Sequence, residues 1–300
     1  MPLARRLPAL LVASLAVFCA PAIADDEDDF DTTWFGARVG VWYRPSIDMR
    51  VQVSGTSATA LGFTGLLGSR IDIQDDLGVR ENATSEYSFR QGILEAEAFV
   101  DTRWASVSAW AIPPYEYRGE TVVQRTVSFG GAQFSASTPV ESKFRQFHWG
   151  VDLRLNLINN EYIRLSPVIA ARVLAVDWEM RAPQLNLKGD TSDVDSPLKY
   201  DDAAIIPYPE VGLEARLGLR RWFEVDVKLT GMALGYFGVE GSTFAFEAGV
   251  TGYPIPYLGI RLGMRYFDFQ IESKSSDARE QFDFDTQFLG ANISLIVRFG

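Results

Sequence analysis

His148 is the only histidine of the 300-residue chain. It stands four residues before Asp152 in the run FHWGVDLRL, on the same face if that run is extended. An imidazole beside a carboxylate and a serine could serve hydrolysis or acyl transfer, as base and orienting acid to a nucleophile. No serine and acid stand around His148 at a spacing that completes such a set, so it reads as an interior histidine in a polar network. Asp72, Asp75 and Asp76 cluster in GSRIDIQDDLGV. Oxygen ligands this close could hold Ca2+, or Mg2+ shared with bound phosphates, but the EF-hand spacing is absent and a solvated acidic loop is the plainer reading. Asp190, Asp193, Asp195, Asp201 and Asp202 read the same way. Gly130-Gly131 reads as a turn without a phosphate-loop context. The single cysteine, Cys19, excludes a disulfide framework and thiolate zinc sites. The expectation is a chain without catalytic residues, cofactor or metal.

The segments that would position any chemistry begin after an address. Arg5 and Arg6 precede an apolar run to Ala22, and Ala22-Ile23-Ala24 supplies a small-x-small cleavage site. Residues 1–24 therefore read as a removable secretory signal. Its loss removes two arginines and takes the net charge from −11 to −13. Residues 25–32 form an acidic leader, DDEDDFDT, and residues 33–300 a single domain. The acidic balance argues against a general nucleic-acid binder, which needs a basic stripe. No apolar run reaches the length of a membrane helix.

Beyond the leader the chain reads in twos, which is the strand period. Phe35, Ala37, Val39, Val41 and Tyr43 alternate with Gly36, Arg38, Gly40 and Trp42. The pattern returns through 149–157, 163–173, 211–217, 223–229, 244–250, 258–266 and 289–299. Two weaker runs, 88–100 and 103–118, bring the total to ten, with the register around Ser106–Ile112 left open. One face is free of charge. The other carries Arg38, Glu95, Glu97, Asp152, Arg154, Arg164, Arg172, Glu210, Glu214, Arg216, Glu224, Asp226, Lys228, Glu247, Arg261 and Arg265, with Arg298 near the end. A charge at the bilayer midplane costs about 2–4 kcal/mol, so lipid accounts for the bare face and a polar lumen for the charged one. A water-facing outer surface has no reason to be this free of charge; the alternative is a soluble β-sandwich that buries the apolar face. The expected fold is all-β: a transmembrane antiparallel up-and-down β-barrel of ten strands.

Connections alternate short and long, as in barrels with short turns on one side of the membrane and longer loops on the other. The short ones fall at 101–102, 159–161, 220–221 and 255–256, the long ones at 54–86, 119–140, 181–204 and 272–281, with a short exception near Phe237–Gly241. Both termini fall on the short-turn side. Trp34, Trp104, Tyr162, Trp222, Tyr257 and Phe299 sit beside the short turns or a terminus, where an interfacial girdle belongs. Glu224 is expected opposite Arg216, or nearly so, across the 220–221 turn, and paired with it. Ten strands lie nearer the filled than the open end of barrel sizes, which favours a charge-plugged lumen over a pore.

On these residues the chain resembles the small bacterial outer-membrane β-barrels. Phe282–Gly300 resembles the C-terminal strand by which they are recognised for assembly, although Gly300 follows the usual terminal aromatic. Gly68–Val79 resembles the G-x-x-I-D-x-x-D-D-L-G segment that follows the first strand in an uncharacterised subgroup. The resemblance implies the outer membrane of a Gram-negative-type bacterium. It implies as partners outer-membrane lipids, lipopolysaccharide and the barrel assembly machinery. A structural or surface-interaction role is expected. The alternatives are a narrow pore for small solutes, or a lipid- or peptide-modifying enzyme using His148.

Overall fold

The computed structural model describes residues 33–54, 70–72, 92–122, 127–129, 132–134, 137–160, 162–182, 198–218, 222–236, 239–274 and 281–300. Residues 1–32, with the expected signal and leader, lie outside them, as do Asp75, Asp76, Asp190, Asp193 and Asp195.

Ten long strands carry the fold: β1 Trp34–Ser54, β2 Gly92–Asp101, β3 Ala105–Val122, β4 Pro139–Leu155, β5 Ile163–Ala182, β6 Leu198–Gly218, β7 Phe223–Tyr236, β8 Val239–Ile255, β9 Leu258–Lys274 and β10 Gln281–Phe299. Each pairs antiparallel with its sequence neighbours, and β10 closes onto β1 with Phe35 opposite Phe299. The result is a closed all-β barrel of the up-and-down transmembrane kind. Closure answers the exposed-edge problem that an open sheet would meet in lipid. Short pieces decorate it. Arg70–Asp72 pairs with β1, Arg50 opposite Asp72. Val127–Phe129 pairs with Ala132–Phe134 in the β3–β4 connection, on either side of the expected Gly-Gly turn.

The alternation forms these strands because it gives each a dry face and a polar face. Val39, Val107, Ile169, Leu213, Leu262 and Ile293 all point outward and are exposed. Trp104, Tyr162, Trp222, Tyr257 and Phe299 are exposed at the short-turn end, while Trp34 lies under the Arg298 guanidinium, 4.5 Å from its ring centroid. The open register of β3 is settled: Ser106, Ser108 and Ile112 point inward and are buried.

The expectation of a lumen polar throughout needs correction. Toward the long-loop end both faces change character. On β5 the inward residues run from Arg164 and Arg172 to Leu174, Val176, Trp178 and Met180, all four buried. The outward ones change from Ile169 and Val173 to Asp177, Glu179 and Arg181. β4 does the same, with Val140 and Phe144 inside and Lys143 and Arg145 outside. So does β9, with Phe267, Phe269 and Ile271 inside and Asp268, Gln270 and Glu272 outside. One half is thus built for lipid, the other as a water-soluble barrel with an apolar core. Length allows this. A tilted strand crosses the hydrocarbon in about 9–11 residues, and β5 has 20.

A bulge makes the inversion possible on β3. Ile112 faces His148 and Tyr115 faces Gln146, so three steps on β3 match two on β4, at Pro113-Pro114. The slip exchanges the faces. Without it Tyr115 and Tyr117 would face outward and Arg118 inward; with it both tyrosines are buried and Arg118 is exposed. A second bulge between Tyr43 and Ser46 on β1 contains Pro45.

Candidate functional site

Inside the lipid-facing half, eight cations and eight anions form one connected web of ion pairs. Arg38 reaches Glu97 at 2.7 Å, Glu95 at 3.1 Å and Glu247 at 3.6 Å. Arg265 bridges Glu247 at 2.8 Å and Glu95 at 3.3 Å, and Arg261 bridges Asp226 at 2.6 Å and Glu247 at 3.0 Å. Arg154 links Glu214 at 2.6 Å to Asp152 at 3.5 Å and Glu97 at 3.7 Å. Asp152, wholly buried, also takes Arg172 at 2.5 Å and Lys228. Arg172 continues to Glu210 at 3.2 Å. At the short-turn end Arg216 joins Glu214 at 2.5 Å and Asp101 at 3.1 Å, and Arg164 joins Asp101 at 3.0 Å. Several contacts, such as Arg172 with Asp152, are close without hydrogen-bond alignment, so attraction between charges holds them.

Two expectations change here. The register places Asp226, not Glu224, opposite Arg216, and Glu224 faces Gly218. The Arg216 guanidinium turns instead to Glu214 and across the lumen to Asp101. Among the described residues Glu224 makes no ion pair, and Asp101 takes its place in the web. Asp101 is easily passed over because it reads as a turn residue. Its even spacing from Glu95 and Glu97 is the signal that puts it on the inward face.

Aromatic rings order the middle of the web. The Arg265 guanidinium lies 4.8 Å from the Trp42 ring and 5.2 Å from Trp110, and Arg172 lies 4.9 Å from the same Trp110. Such contacts favour a cation that has lost part of its water. The Trp42 indole N–H donates to Glu95. Inward glycines make the room: a Cβ at Gly249 would meet the Arg261 guanidinium at 2.4 Å, and one at Gly150 would meet Arg172 at 2.8 Å.

The web divides the interior into two spaces. On the short-turn side a vestibule of about 640 Å³ is lined by groups including Trp34, Arg164, Arg216, Glu224, Tyr253 and Tyr257. On the other side a cavity of about 50 Å³ lies between Tyr115, Tyr208, Ala245 and Phe267 with His148, and web residues such as Arg172, Glu210 and Arg265. Above it lies the apolar core, Phe144 meeting Trp178 edge-on at 6.1 Å and Phe269 meeting Tyr208 at 5.1 Å and Phe284 at 6.0 Å. This core escapes a reading of the lipid-facing segments because it lies beyond them.

His148 lies at the junction of web and core. Its ring packs 5.8 Å from Phe267 and 6.4 Å from Tyr115, and its Nε2 is buried without a hydrogen-bond partner. Asp152 is committed to its three cations. No serine hydroxyl or carboxylate within the described residues is hydrogen-bonded to the imidazole. Asp72 sits in the short strand beside β1, and no group of three or more candidate metal ligands occurs among the described residues.

No protein-family model matches the chain, and no curated protein matches it in sequence. Among solved structures it is similar to the outer membrane protease OmpT from Escherichia coli, at 10% identity and a TM-score of 0.48, over 89% of this chain and 97% of that one. It is similar to the attachment invasion locus protein Ail of Yersinia pestis at 10% identity and 0.28, over 87% and 98%. It is similar to the toluene transporter TodX of Pseudomonas putida at 11% identity and 0.33, over 90% of each. The barrel itself stands on the ladders described above.

Proposed function

We propose that the chain is an outer-membrane barrel of a Gram-negative-type bacterium, closed along its axis, with a structural or surface-interaction role and no catalytic activity. In this reading residues 1–24 are removed on export, and β10 is the strand offered to the assembly machinery. The inversion of polarity along the strands carries the proposal. The charge-free outer face fits lipid, and the half beyond it stands in water with a packed core that leaves no axial path. The outward Arg118, Lys143 and Arg145 gather around Glu116 at 2.6, 3.2 and 3.0 Å, above the apolar belt. That is where lipopolysaccharide phosphates would meet the wall.

Purified protein in a planar bilayer is expected to carry no steady current, because the apolar core excludes hydrated ions. The vestibule favours a second reading, a narrow pore whose short-turn half is already open. A steady, ion-selective current from the wild type would overturn the closed barrel and promote that pore.

The non-catalytic reading rests on the unpartnered imidazole. His148→Gln is expected to leave folding intact and the lipid A mass spectrum of expressing cells the same as with wild type. A lipid A pattern that depends on His148 would overturn it.

A further inference from the structure

Among the described residues two ladders of the wall stop short of their strands: that of β2 with β3, whose last pair is Ala96 opposite Ala111, and that of β6 with β7. β6 pairs with β5 along its length, from Leu198 opposite Ala182 to Leu217 opposite Ile163. Its ladder with β7 begins only at Val211 opposite Gly231 and runs down to Gly218 opposite Glu224. β7 nevertheless continues to Tyr236, paired on its other side with β8. Above Val211 the two strands share no ladder, and this unpaired stretch is a seam in the wall. Along a strand, backbone N–H and C=O groups point alternately to the two neighbours. Pro207 and Pro209 sit in phase with each other and remain in ladder with β5, so the donors they lack are those facing β7. The seam is therefore written into β6, which cannot donate there.

Its level is set by β5. Pro209 lies opposite Ala171, Pro207 opposite Val173 and Ile205 opposite Ala175, just below Asp177, where the outward charges begin. The seam thus opens at the upper edge of the lipid belt, flanked outside by Ile205 at 70% exposure and Val211 at 65%. Inside it lie Ile206, Tyr208 and Met232 of the apolar core. The 50 Å³ cavity adjoins its lower end at Tyr208 and Thr230. Glu210 floors that end, accepting hydrogen bonds from Thr230 at 2.8 Å and Thr243 at 3.0 Å.

We infer that this seam is a lateral portal through which the tip of an alkyl chain from the surrounding lipid enters the cavity. The inference rests on the membrane reading above. Two observations select an alkyl chain over an added β-strand. The flanks continue the apolar belt without a break, and a strand docking on β6 would find two of its carbonyls facing prolines. An unpaired backbone carbonyl in hydrocarbon costs several kcal/mol, and an alkyl chain brings none. The closed lumen and the portal are compatible, since entry is from the side and the axial path stays blocked.

The probe is palmitic acid with a diazirine on its terminal carbon, photolysed in phosphatidylcholine vesicles holding the full mature protein. Adducts are mapped by mass spectrometry. The expected wild-type pattern has two groups, one on the belt at residues such as Leu213 and Leu262, and one inside at Tyr208, Met232 or Ala245. Ala245→Phe fills the cavity and should lose the inner group while keeping the outer. Pro207→Val with Pro209→Val restores both donors. It should slow amide exchange over Met232–Tyr236 and cut the inner adducts several-fold, which keeps the test alive if the filled variant fails to fold. Belt adducts with no inner ones in wild type overturn the portal alone, as do inner adducts that survive both changes. Adducts on neither surface overturn the membrane reading and the portal with it.

Discussion

Leu213→Arg, Val227→Arg and Leu262→Arg each lower folding stability in lipid by about 2–4 kcal/mol, the cost of an arginine near the bilayer midplane. All three residues point outward, with exposures of 46%, 36% and 59%. They lie on β6, β7 and β9, between the short-turn aromatics and the first outward charges. In water such exposure would make the same changes harmless, since surface substitutions shift stability by only about 0.5 kcal/mol. The contrast lies on the same β9 strand. Gln270, outward and exposed above Tyr266, should accept arginine within that small range. Urea titration of the refolded protein in phospholipid vesicles, followed by tryptophan fluorescence, measures both. Three outward arginines as mild as Gln270→Arg would mean that the apolar face does not meet lipid.

The second large effect is expected at Asp152→Ala. This carboxylate has no exposure and sits among Arg172, Lys228 and Arg154. Its removal leaves three cations close together in a space with little water, where breaking a buried pair costs about 3–5 kcal/mol. The loss should exceed that of Arg216→Ala, because Arg216 borders the vestibule and keeps 22% of its side chain exposed. Asp152→Ala with Lys228→Met removes one stranded charge and should recover part of the loss, so the two changes are less than additive. The same vesicle titration reads all of these. A loss below about 1 kcal/mol for Asp152→Ala would show a well-hydrated lumen, in which charges screen one another without fixed partners.

The two effects separate what can be read along the chain from what cannot. The charge-free outer face was legible in segments such as 35–43, 149–157 and 258–266, because the strand period is local and lipid tolerates no charge there. The ten-strand count and most of the charged lining follow from the same alternation. Closure was needed for everything that depends on neighbours distant in sequence. Arg216 finds Asp101, 115 residues away, only because the curvature of the barrel carries β2 and β6 to facing walls. The apolar core was hidden because alternation reports two faces but not which one is inside. That assignment reverses once a strand leaves the membrane, and on β3 it also passes through the Pro113-Pro114 bulge. Residues such as Phe144, Trp178 and Phe269 look, one by one, like more of the lipid belt. They face inward because above the belt the solvent outside is water, and burial is then favourable only toward the barrel axis.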